Sequence, residues 1–135
     1  MIRVFDVDKA LHFFCEGLGM TVVRKRDSDK GRFSLIFLTT DETDDDAMLE
    51  LTHNWDEPEP YTGGRNFGHV AFAVDNIYET CERLQQLGYP ILRPPRDGRM
   101  AFVRYPDQIS VELLQRGEPL PLVEQWVSMP STGTW

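Results

Sequence analysis

One structural plan is written twice along this chain, and that repetition narrows the folds open to it. Met1–Val7 is a short β-rich run, after which Asp8 opens a helical segment with apolar residues at 10, 11, 14 and 15. Asp6 or Asp8 can cap its start, and Gly17 and Gly19 close it. In the second half His69–Val74 reads as a strand and Asp75 or Asn76 as a cap. Ile77, Cys81, Leu84 and Leu87, with Tyr78 beside them, then form a helical stripe ending at Gly88. Each helix runs into the same kind of triplet, Leu18-Gly19-Met20 and Leu87-Gly88-Tyr89. Three further strands follow in each half, over 20–26, 32–39 and 47–54 and again over 89–93, 99–104 and 109–115. The pattern predicts an α+β chain of paired βαβββ modules with mostly antiparallel strands. The first module covers 1–55, a linker 56–66, and the second module 67–115. A tail, 116–135, holds one short helix near 121–127 and is otherwise docked or partly disordered.

Composition excludes several classes of function. Of 135 residues, 41% are hydrophobic and 27% charged, as in globular proteins and unlike disordered ones. The longest apolar stretch, Phe33–Leu38, is far short of the ~20 residues a membrane span needs. The net charge of −8 speaks against nucleic acid and anionic membranes, whose phosphates need clustered Lys and Arg. No export signal precedes the first strand, so Cys15 and Cys81 are expected as reduced thiols and the chain as cytoplasmic. The stretch 55–66 has the Pro, Gly and charge of a linker, and the acidic runs Asp41–Asp46 and Asp56–Glu59 read as solvated loop tips. An enzyme or a small-molecule binder remains.

Three ionisable groups stand inside apolar strands. The last strand of each half holds one carboxylate between aliphatics, Leu49-Glu50-Leu51 and Val111-Glu112-Leu113, and His69 opens the first strand of the second half. Alternation sets Glu50 on a face with Met48 and Thr52, Glu112 with Ser110 and Leu114, and His69 with Ala71 and Ala73. Taken singly, a strand Glu is a solvated residue and a strand His a hydrogen-bonded one. Two Glu at matching positions of a repeat, together with a His, point instead to a metal site. Imidazole and carboxylate together suit Zn, Ni, Co or Fe(II), and a second carboxylate adds a general base.

The motifs resemble those of the glyoxalase I (lactoylglutathione lyase) branch of the vicinal oxygen chelate superfamily. The likeness is carried by Met1–Val4, Leu18-Gly19-Met20, Leu49–Trp55, Phe67-Gly68-His69-Val70-Ala71, and Pro106-Asp107 leading to Val111–Leu114. The resemblance implies curved sheets enclosing a metal site and a homodimer with active sites at the subunit interface. Carried over residue by residue, it assigns Glu50, His69 and Glu112 to the metal, with Glu112 also the catalytic base. Arg3, Asn54 and Arg65 match positions that hold the ends of glutathione, where Arg offers carboxylates a bidentate fork. The cofactor implied is one divalent ion, Ni(II) or Co(II) by likeness to the short bacterial form, with Zn(II) open. The substrate implied is the glutathione–methylglyoxal hemithioacetal, isomerised to S-lactoylglutathione. A fourth ligand, a His, is expected two residues ahead of the position Met1 holds; either a segment precedes Met1, or the site has three protein ligands. His12 and His53 are poor substitutes, His12 on a polar helix side and His53 facing away from Glu50, and both are expected at the surface. Gln108 stands where the family motif has Gly, so the turn there must be strained or different. Two rival readings are an Fe(II) ring-cleaving dioxygenase of the same superfamily and a metal-free binding or resistance protein.

Overall fold

The computed structural model describes residues 1–40 and 47–135; the acidic run Asp41–Asp46 lies outside the described residues. The chain divides into two compact units, Met1–Thr62 and Gly63–Trp135, each built on one four-stranded sheet.

In the first unit β1 (Ile2–Arg3) is followed by α1 (Val7–Leu11), which continues as a π-helical segment, His12–Gly17. The β-rich start is shorter than its composition suggests because Asp6 caps the helix, accepting from the Lys9 amide at 3.0 Å. The buried stripe is Ala10, Phe13, Phe14 and Gly17 rather than 10, 11, 14 and 15. Here the widened turn bonds the Leu18 amide to the Phe13 carbonyl at 3.1 Å, and Phe13 packs edge-on against Phe14 with centroids 5.1 Å apart. Strands β2 (Thr21–Ser28), β3 (Phe33–Thr39) and β4 (Leu49–Asn54) complete a sheet of order β1-β4-β3-β2, with β1 parallel to β4 and the other pairs antiparallel. Ile2, Leu51 and Ile36 lie in register on adjacent strands and are buried, so one face of this sheet belongs to the core.

The second unit repeats the order. It contains β5 (His69–Val74), α2 (Ile77–Gln86), β6 (Ile91–Arg93), β7 (Met100–Arg104) and β8 (Ser110–Gln115), in a sheet of order β5-β8-β7-β6 with β5 parallel to β8. Asn76 caps α2 by accepting from the amides of Tyr78 and Glu79, and Gly88 ends it at φ +88. Ile77, Thr80, Cys81 and Leu84 form the buried face, which touches β6, β7 and β8. Full burial stabilises by about 2 kcal/mol for each of the two aliphatics. Both cysteines are free, and burial pushes the Cys81 thiol up to about 12. Beyond β8 a short helix, α3 (Glu124–Val127), carries a buried Trp126. Among the described residues no helix is long and apolar enough to cross a membrane.

Candidate functional site

Alternation decides which side chains of each sheet leave the core. Along β5 exposure alternates, with His69, Ala71 and Ala73 outward and Val70, Phe72 and Val74 half-buried. Parallel pairing sets His69 beside Ser110 and Ala71 beside Glu112. The imidazole and the carboxylate therefore rise on one face of adjacent strands, two residues out of register, and His69 Nε2 meets Glu112 Oε2 at 3.0 Å. The two small residues, Ala71 and Ala73, leave the space above the sheet open. His69 is 42% exposed and Glu112 only 15%, so one partner faces solvent while the other is largely shielded.

The same face continues across β7. Phe102 is the register partner of Glu112, and Arg104 of Ser110. The Phe102 ring meets His69 edge-on, centroids 5.2 Å apart. Arg104 donates to the Gln108 carbonyl at 2.9 Å and to the Thr134 carbonyl. A cavity of about 250 Å³ adjoins His69, with Arg104, Ser110 and Trp135 among its walls. These neighbours were not singled out in the sequence, although alternation along Met100–Arg104 puts Phe102 and Arg104 on one side. Trp135 has no such signal.

Glu50 belongs to the first unit. It is half-buried on β4, accepts from Thr52 Oγ1 at 3.2 Å, and lies opposite Phe37. Arg3 pairs with Thr52, so Arg3, Glu50, Thr52 and Asn54 share one sheet face. Asn54 is fixed by donating from Nδ2 to Tyr61 Oη at 2.9 Å. The edge strand adds Arg24 and Arg26, opposite Phe37 and Leu35, and the Arg24 guanidinium sits 4.0 Å above the Phe37 ring. Arg65 is exposed on the turn that precedes β5. Thus Arg3 and Asn54 stand with Glu50, and Arg65 stands in the unit of His69 and Glu112.

The other histidines differ from each other. His12 is exposed on the π-helical segment. His53 is half-buried, not at the surface: its Nδ1 lies 3.2 Å from the Val4 carbonyl, an acceptor only, so that nitrogen carries the proton. Short β1 ends beside His53, leaving the Val4 carbonyl free to take the ring. Arg93 donates to the Met100 carbonyl and to Asp97.

The donor chemistry fits a divalent transition metal. An imidazole nitrogen and a carboxylate oxygen 3.0 Å apart can both reach one ion lying about 2 Å from each. Nitrogen with carboxylate oxygen suits Zn, Co and Ni and disfavours the all-oxygen ions. Among the described residues no group of three or more His, Cys, Asp and Glu gathers within one chain.

The profile of the glyoxalase/bleomycin resistance protein/dioxygenase superfamily matches residues 1–113. The chain is similar to the probable lactoylglutathione lyase of Synechocystis, 41% identical over 120 residues, covering 85% of this chain and 91% of that protein. It is similar to the lactoylglutathione lyase of Neisseria meningitidis, 40% identical, covering 86% and 87% respectively. Among solved structures it resembles the trypanothione-dependent glyoxalase I of Leishmania major, with a TM-score of 0.79 and 34% identity over 85% of this chain and 83% of that one. Sequence and fold agree along nearly the same span, and on that ground the chain belongs to the lactoylglutathione lyase (glyoxalase I) branch of this superfamily.

Proposed function

We propose that the chain is a metal-dependent lactoylglutathione lyase, converting the hemithioacetal of glutathione and methylglyoxal into S-lactoylglutathione. The observation that carries the reading is the His69–Glu112 pair on the open face of β5 and β8, in a chain of this family. The relatives' activity at 40–41% identity favours the lyase over the ring-cleaving dioxygenase and the metal-free binder.

The residues that would hold the ion are Glu50, His69 and Glu112. A divalent ion held there would supply Lewis acidity to the substrate. Glu112 takes the proton from the carbon bearing sulfur and returns it to its neighbour, so the substrate is isomerised with no net change of atoms. An anionic carboxylate held beside the substrate suits that shuttle. Arg3, Asn54 and Arg65 bind the glutathione part, the arginines pairing with its carboxylates. Ni(II) or Co(II) is the proposed ion, with Zn(II) the alternative. Sites shared between two copies of the chain follow from the same resemblance.

The test combines metal analysis of the purified chain with ultraviolet detection of thioester formation from methylglyoxal and glutathione. Glu112→Gln is expected to lower kcat by about 10²–10⁴-fold with an unchanged unfolding midpoint. Near-normal turnover by that variant would remove Glu112 from its role.

A further inference from the structure

The tail beyond β8 is fastened to its own unit at successive points. The Leu120 amide donates to the Gly98 carbonyl at 3.0 Å, and Tyr78 Oη to the Pro121 carbonyl at 2.9 Å. Trp126 is buried and lies parallel to the Tyr78 ring, centroids 6.2 Å apart. Arg96 donates from Nε to the Met129 carbonyl at 2.9 Å and from Nη2 to Ser131 Oγ at 3.0 Å. The Thr132 amide donates to the Leu92 carbonyl, on edge strand β6, at 2.8 Å. Gly98 accommodates the passage: a Cβ there would stand 2.1 Å from the Leu120 carbonyl oxygen.

Having rounded that edge, the chain's last residues reach the face that bears His69 and Glu112. Arg104 donates to the Thr134 carbonyl, and the Trp135 indole stacks on Phe102, centroids 5.7 Å apart and planes 22° from parallel. Phe102 is the register partner of Glu112 and the edge-on neighbour of His69. The indole is thus one ring away from the imidazole. It remains 48% exposed and lines the cavity that adjoins His69.

We infer that Trp135 is a specificity-determining residue: its exposed ring forms an apolar wall beside the reacting centre and favours 2-oxoaldehydes whose side chain is aromatic over those that carry a methyl group. The inference rests on the lyase reading and on the site assigned to it. A methyl group covers little of an indole, whereas a phenyl ring stacks on it and gains an aromatic contact beyond its buried area. Phe102 beneath and Arg104 at the Thr134 carbonyl are positioning residues for that wall. The preceding fastenings keep the entropy of ordering the last residues small.

The experiment measures kcat/KM for the hemithioacetals of phenylglyoxal and methylglyoxal with wild type, Trp135→Ala and Trp135→Phe. Trp135→Ala is expected to lower the phenylglyoxal value by about tenfold and the methylglyoxal value by less than about twofold. Trp135→Phe, which keeps a ring, retains most of the preference and guards against a folding defect in the alanine variant. A second readout is independent of turnover: S-benzylglutathione quenches the tryptophan fluorescence of wild type, and Trp135→Phe loses that response. Equal losses for both substrates, or none, overturn the wall and leave the lyase reading standing. A wild type that turns over neither hemithioacetal defeats the lyase reading and the wall with it.

Discussion

Gln108 occupies φ +68 in the turn between β7 and β8, a left-handed conformation in which a Cβ crowds the following carbonyl. The turn is nevertheless closed, with the Gln108 amide donating to the Tyr105 carbonyl at 3.0 Å and the Tyr105 amide to the Ile109 carbonyl at 2.9 Å. Glycine relieves the strain but costs chain entropy in the unfolded state, so the gain is the smaller difference of the two. Gln108→Gly is expected to raise stability by about 0.5–1 kcal/mol, read as a higher urea midpoint with an unchanged slope. The strained residue sits just before Ser110, which lies beside His69 and lines the same cavity. Relief of the strain and any change in turnover therefore have to be measured on the same variant.

The loop between β6 and β7 is organised by Asp97. Its carboxylate accepts from the Arg99 amide at 2.9 Å, the Met100 amide at 3.1 Å and Arg93 Nη2 at 3.0 Å. Burial pushes its pKa up, but those donors and the Arg93 charge outweigh burial and hold it below the usual 3.8. A folded pKa below the unfolded one contributes stability that is present above about pH 3.8 and lost as pH falls through the lowered value. Asp97→Asn is accordingly expected to be less stable than wild type at neutral pH, with the difference closing in acid. Urea titrations at neutral pH and at pH 2 check this, and a gap that persists in acid would assign the effect to lost hydrogen bonds rather than charge. Elements of this kind were partly legible in the sequence. The repeat showed itself because Leu18-Gly19 and Leu87-Gly88 both mark helix ends at positive φ, and the strands showed themselves through alternation. The burial of Phe13 is hidden because a π-helical turn shifts the period, and that of His53 because its partner is a backbone carbonyl on β1's continuation. The path of the tail had no signature, since residues 116–135 carry no period that names a face and Trp126 finds Tyr78 only once α2 is in place.

At the scale of the whole molecule, the chain's charge and its chemistry pull in opposite directions. A net −8 disfavours a substrate with two carboxylates, yet the face around Glu50 carries Arg3, Arg24 and Arg26, and Arg104 stands near His69. At a Debye length of about 8 Å the nearest charges dominate what a bound anion experiences, and the mean charge governs only the distant approach. The residues proposed to hold the ion are divided as well: Glu50 in one unit, His69 and Glu112 in the other. If each site takes its first-unit residues from one copy and its second-unit residues from another, inactivating substitutions in different units must complement. In a heterodimer of Glu50→Gln with Glu112→Gln, one site collects both substitutions and the other collects neither. Random exchange of subunits makes half the dimers mixed, and half the sites in those are intact, so mixing two inactive variants should restore roughly a quarter of wild-type activity per site. Sites built within single chains would leave every copy with one substitution and the mixture inactive. The two outcomes differ by the whole signal, which makes the exchange experiment the decisive measure of whether two copies of the chain share the chemistry.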